Sequence, residues 1–211
     1  MKLQRLAGYG PIASFVSAGC LLVFAMFQMV MLPPSLATVG LVAYILSMFG
    51  WAAGLTITVF DLEWMEPSAT RTRWIQAGLV AAVVASVMPF VLLAAQLGQV
   101  SIPYVFEVPS ALLLGGVGFS VLVHNIVARR VRLLHGALPW IGIVSGACWL
   151  YLGLLQFIYM FTPKLLMGFV YGLPVAELIY LVWAIWMGVH LTRAKRAAAV
   201  GRPVAVSVAT H

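Results

Sequence analysis

Charge is scarce in this sequence. Only 8% of its 211 residues are Asp, Glu, Lys or Arg, and five of those are acidic, whereas a soluble domain carries about a quarter charged residues. Such a chain cannot have water as its main solvent, which excludes a soluble enzyme or a soluble binding module. Cysteine is almost missing as well. Cys20 and Cys148 both fall inside apolar runs, where they read as small buried hydrophobes, so a disulfide framework and a cysteine-based metal site are excluded. Recognisable chemistry is lacking too: there is no Cys-x-x-Cys-His, no His-Glu-x-x-His, no glycine-rich phosphate loop and no nucleophile elbow. An intramembrane enzyme is disfavoured because no base and nucleophile pair is evident.

What the chain has instead is apolar length. Hydrophobic residues make up 64% of it and the mean hydropathy is +1.07. A spanning helix needs about 20 residues, and the sequence divides into six such runs, at about 11–32, 38–60, 74–97, 104–127, 137–161 and 165–191. This predicts an all-α polytopic membrane protein, a bundle of six transmembrane helices with short loops. Residues 1–191 form the transmembrane domain, and 192–211 a basic cytoplasmic tail. A signal peptide rivals the first span, since Ser17-Ala18-Gly19-Cys20 resembles a cleavage site. The apolar run continues well past Cys20, however, and a secretory core is only about 7–15 residues. Pro33 and Pro34 break the chain after span one, and Thr162-Pro163-Lys164 after span five. The segment from Asp61 to Arg73 reads as a polar loop holding Asp61, Glu63 and Glu66.

Positive charge sets the orientation. With the amino terminus inside, Lys2, Arg5, Arg71, Arg73, Arg129, Arg130, Arg132, Arg193, Lys195, Arg196 and Arg202 all lie inside, and Lys164 alone lies outside. Both termini are therefore expected in the cytoplasm, in a bacterial inner (plasma) membrane. The same bias accounts for the basic pI through anionic lipid, without nucleic acid. The bilayer is the one partner this composition requires. A homo-oligomer or a complex with other membrane subunits is compatible with the close-packing pairs Gly50 and Gly54, Gly142 and Gly146, Gly168 and Gly172. Gly115 to Ser120 reads the same way, as close helix packing. Interior tryptophans are expected to be packing.

A weak internal repeat emerges when 11–32 is laid over 139–160. Pro11 matches Pro139, Val16 Val144, Ser17 Ser145, Cys20 Cys148, Leu22 Leu150 and Gln28 Gln156. Spans one and five would then be a parallel repeat, related by an axis along the membrane normal. Span three carries no matching signal.

The polar residues inside the spans are the functional candidates. Glu177 lies about midway along the sixth span, where a carboxyl group costs a few kcal/mol unless it finds a partner or water. Pro174, one turn earlier, frees a backbone carbonyl. Glu177 is either a proton- or cation-linked site or a protonated acid bonded to Tyr180, Tyr171 or a glutamine. Glu107, Gln28, Gln96 and Gln156 fall in the outer portions of their spans and would line a polar vestibule, with Tyr180 beside Glu177. His124 and His190 end spans four and six, and His135 begins span five; at those depths neutral imidazole can ligate haem iron. Two functions follow. One is a small transporter or channel, or a subunit of one, for an ion or small solute, with no cofactor. The alternative is a haem- or quinone-binding membrane subunit of a redox complex, with haem b held by His124 and His190.

Overall fold

The computed structural model describes the backbone of residues 9–29, 37–65, 73–98, 105–159, 161–162 and 166–199; the side chains of 28–29, 37–38, 62–65, 166–171 and 198–199 lie outside the description. Six helices follow in order: α1 Gly10–Met29, α2 Ala37–Met65, α3 Arg73–Leu97, α4 Glu107–Arg130, α5 Leu138–Tyr159 and α6 Leu166–Ala199. No strand occurs among the described residues. All six are long and apolar enough to cross a membrane, and helices satisfy every mid-span backbone group where no water is available. The chain is an all-α integral membrane protein.

Prolines begin several of these helices. Pro11, Pro109 and Pro139 sit in the first turns of α1, α4 and α5, where a missing N–H removes no intrahelical bond. Pro89 and Pro174 lie inside α3 and α6, both of which continue through them. After α4 the chain stops by a Schellman turn. Arg132 takes φ 59°, its N–H donates to the Arg129 carbonyl, and the Leu133 N–H donates to that of Ala128. The Arg129 guanidinium then covers the Trp140 ring, 3.8 Å from its centroid, which ties the loop to the start of α5.

Each helix packs on its neighbours in sequence, and α1 packs on α6, so the bundle closes into a ring. Neighbours run antiparallel. Gly153 meets Gly115, Gly118 meets Leu150, Gly146 meets Leu122 and Gly142 meets Asn125, one helix descending as the other rises. Tyr9 and Ala199 therefore lie at the same end of the bundle, called here the terminal end, with the distal end opposite. The expected glycine pairs act as foreseen where they are described. Gly50 faces Cys20, Gly54 faces Ala13 and Ser17, and α4 and α5 approach through Gly115, Gly118, Gly142, Gly146 and Gly153.

The outer surface is made of large aliphatics such as Leu22, Leu46, Val80, Leu112, Leu154 and Leu178, all exposed. The inside holds aliphatics too, among them Leu21, Leu55, Leu113 and Leu152, together with alanines, three tryptophans and the buried polar side chains Ser14, Ser17, Ser47, Thr58, Asp61, Ser120, His124, Asn125, Ser145 and Glu177. Apolar residues on both sides suit lipid, because contact with acyl chains costs leucine nothing, while a buried serine or asparagine finds partners. Trp74 and Trp140 are exposed near helix starts, where tryptophan favours the headgroup level; Trp51, Trp149 and Trp183 are fully enclosed.

Two boundaries differ from expectation. Helix α2 runs on to Met65, so Asp61 is helical and buried rather than in a loop. Helix α6 runs on to Ala199, past the expected end of the span at 191. Both extensions are held by a shared contact described below. Helices α1 and α5 point the same way, as the parallel repeat requires, but alternate helices of any up-and-down ring do so, and the repeat itself is not established.

The glycine contacts make a sharp test. A Cβ on Gly118 would overlap the Leu150 backbone, whereas one on Gly115 meets nothing within 4 Å. Gly118→Ala should lower stability by about 1–3 kcal/mol, and Gly115→Ala should leave it unchanged or raise it by up to about 1 kcal/mol. Thermal unfolding of the two variants in detergent checks this.

Candidate functional site

The centre of the ring is closed by aromatic side chains. Trp51 of α2 meets Trp149 of α5, ring centroids 4.6 Å apart, and Tyr180 of α6 edge-on at 5.7 Å; Trp183 lies 5.4 Å from Tyr180. Phe24 of α1 extends the cluster from Trp51 to Tyr44 at 5.9 and 5.1 Å. Hydrogen bonds orient the rings. The Ser17 hydroxyl donates to the Trp51 carbonyl at 2.8 Å, which leaves its oxygen to accept the Tyr180 hydroxyl at 2.7 Å. Trp183 Nε1 donates to Asn125 Oδ1 at 3.0 Å, and Asn125 Nδ2 donates to the Val121 carbonyl of its own helix. Gly142 makes room for that carboxamide. Tyr180, expected beside a bound ion, thus directs its hydroxyl to Ser17 within the packed centre. Trp149 Nε1 and Ser145 Oγ are buried without a hydrogen-bond partner, an unusual cost at the middle of a bundle.

Distal to this cluster lies a cavity of about 300 Å³. Its walls come from five helices: Phe24 of α1, Tyr44 and Met48 of α2, Ser110, Leu113 and Leu114 of α4, Gln156 of α5 and Leu173 of α6. Glu177 follows Leu173 by one turn on the same face of α6, only 6% exposed, and is close enough to Tyr44 for their charges to interact. Its neighbour Leu178 faces outward at 64%. The carboxyl group is therefore turned into the bundle and away from the acyl chains. Because α6 extends to Ala199, Glu177 lies in the distal third of the helix, about 16 Å from Leu166 at 1.5 Å per residue, not at its midpoint.

Of the four residues expected to line a vestibule, one borders this cavity. Gln156 lines the cavity. Glu107 is half-buried in the first turn of α4, one turn before Ser110, where the helix dipole favours an acid. Gln96 is exposed on α3, which contributes nothing to the cavity wall. The side chains of Gln28 and Tyr171 lie outside the description. Tyr44, Phe24, Met48 and Ser110 went unrecognised in the sequence. A depth count along span two would have flagged Tyr44, a hydroxyl in the distal half of an apolar run.

The histidines have separate surroundings. His124 Nδ1 donates to the Ser120 carbonyl at 2.7 Å, and the ring lies against Gly78 of α3. His190 is half-buried near His135 and Arg193. Different neighbours thus surround the two proposed haem ligands. Among the described residues no three His, Cys, Asp or Glu side chains gather as a metal site would need.

At the terminal end three helices are tied at one carboxylate. Asp61 of α2, 1% exposed, pairs with Lys195 Nζ of α6 at 2.6 Å and accepts the backbone N–H of Gly10 at the start of α1. Gly10 packs directly against the carboxylate, with no space for a Cβ. A negative group at that helix start also meets the positive end of the α1 dipole. This contact explains both helix extensions, since Asp61 and Lys195 each lie beyond the apolar run expected for its span.

Compared with protein families, with curated proteins and with solved structures, the chain has no significant match in any of the three. Its function has to be read from its own geometry.

Breaking the terminal tie should have a non-additive signature. Lys195→Ala leaves Asp61 buried with too few partners and should cost about 1–3 kcal/mol; adding Asp61→Asn to it should recover part of that loss, because the uncompensated charge is gone. Thermal unfolding of the single and double variants in detergent measures the coupling.

Proposed function

We propose that this protein is a small transporter or channel, or a subunit of one, that carries an ion or small solute through its own helical ring. One observation carries the reading: the buried Glu177 carboxyl lies one turn beyond a cavity of about 300 Å³ in the distal half. An ionisable group inside a membrane is costly, and such groups mark ion and substrate pathways. Gln156 and Tyr44 place an amide and a hydroxyl on the cavity wall, and Glu107 supplies negative charge near its rim.

The other half of the ring is sealed. The Trp51, Trp149, Tyr180 and Trp183 cluster fills the centre, and the Asp61–Lys195 pair joins α1, α2 and α6 at the terminal end. Under this reading the structure is a distal-accessible state, and passage requires the aromatic cluster to rearrange and the terminal tie to open. With the positive-inside bias the terminal end is cytoplasmic, and the cavity faces outward in an inner membrane.

Glu177→Gln keeps the size and hydrogen-bonding capacity of the side chain and removes its titration. In proteoliposomes with an imposed potential, wild-type protein should acidify a trapped pH dye faster than protein-free vesicles, and Glu177→Gln should abolish that flux while eluting as a monodisperse species. Full flux in the variant overturns the assignment. Glu177→Leu separates a structural role. If the acid serves only to pack, that variant is neutral or more stable and flux persists; on the transport reading flux is lost whatever the stability.

A further inference from the structure

We propose that the distal cavity takes a small organic cation with an apolar body, an aromatic or alkyl ammonium, whose charge is met by Glu177 and whose body rests on Phe24, Tyr44 and Met48. The proposal deepens the transport reading and rests on the same cavity, since it names the class of solute.

The wall chemistry sorts the candidates. Most of the surface is aromatic, aliphatic or thioether: Phe24, Met48, Leu113, Leu114 and Leu173 are all apolar, and among the described residues no Lys, Arg or His contributes. An anion finds no positive partner there. A bare metal cation needs about six oxygen ligands in a tight shell, whereas the wall offers the Tyr44 hydroxyl, the Gln156 amide and a Ser110 hydroxyl that already donates to the Phe106 carbonyl at 2.7 Å. A sugar or other polyhydroxylated solute would leave most of its hydroxyls against carbon, at a cost for each one buried unpaired. An apolar body satisfies that wall. The charge of the solute is then selected by what surrounds it. Among the described residues Glu177, one turn from Leu173 of the wall, is the one buried carboxylate in the distal half, and the stacked Phe24 and Tyr44 rings, 5.1 Å apart, provide the π surface that draws ammonium groups out of water. A volume of about 300 Å³ is at the small end of ligand pockets, which restricts the solute to about the size of a single substituted ring. Met48 adds a flexible, polarisable wall that accommodates variation in shape.

Isothermal titration of the detergent-solubilised full-length protein with benzyltrimethylammonium tests this, with benzyl alcohol and benzenesulfonate as neutral and anionic controls. Saturable binding of the cation is expected, at least about tenfold tighter than either control, and weakened about tenfold or more by Glu177→Gln or by Tyr44→Leu. Leu114→Trp, which fills the cavity and leaves the acid in place, should abolish binding in a protein that still unfolds cooperatively. Equal affinity for benzyl alcohol, undiminished binding in Glu177→Gln, or no saturable binding by folded wild-type protein overturns the proposal. The two readings fail separately. Binding of the cation without any vesicle flux supports the solute class and removes transport, whereas Glu177-dependent proton flux in a protein that binds no cation removes the solute class alone.

Discussion

The contact between the first helix and the last is what turns a row of six helices into a ring, and hydrogen-bonded polar groups hold it. Ser14 donates to the Ala184 carbonyl at 2.7 Å, Ser17 takes the Tyr180 hydroxyl, and Gly10 and Lys195 meet at Asp61. Lipid supplies no hydrophobic drive for helices to associate, so close packing and hydrogen bonds have to do it. If α1 and α6 separated, Tyr180 and Trp183 would lose their enclosure, and the carboxylates of Asp61 and Glu177 would approach acyl chains. Everything placed inside the bundle presupposes that this seam stays shut.

The seam is reinforced unevenly along its length. At the terminal end it holds an ion pair with a helix start; in the centre, serine hydroxyls and rings; at the distal end, a cavity. Elsewhere in the ring, α4 and α5 meet through glycines so closely that added methyl groups would overlap backbone. The α4–α5 contact thus rests on close backbone approach, whereas the α1–α6 seam is bridged by hydrogen bonds. Asn125 links α4 to α5 and α6, because it sits in the space left by Gly142 and receives the Trp183 indole.

The buried donors without partners belong to the same picture. Trp149 Nε1 and Ser145 Oγ both lie in the closed centre, between the cavity and the terminal tie. An indole N–H left unpaired away from water is a standing cost. A rearranged centre that gave these groups partners would recover it, so the sealed arrangement is not optimal for every side chain that forms it.

The amino-acid sequence by itself determined the number of helices, their approximate ends, the placement of positive charge at one end and the presence of a single acid deep in the last span. Those features depend on apolar length, proline position and charge count, which are properties of the chain read in one dimension. It left open which way each helix is turned. Apolar residues surround each span on every side, so periodicity says little about which face is inside, and Tyr44 looked no different from lipid-facing neighbours until it appeared on the cavity wall. Asp61 and Lys195 each resembled loop or tail residues because their value comes from one another, across 134 positions of chain. The tertiary structure decided the rotation of each helix, the closure of α1 on α6 and the burial of Glu177 inside the bundle, because those depend on contacts between residues far apart in sequence.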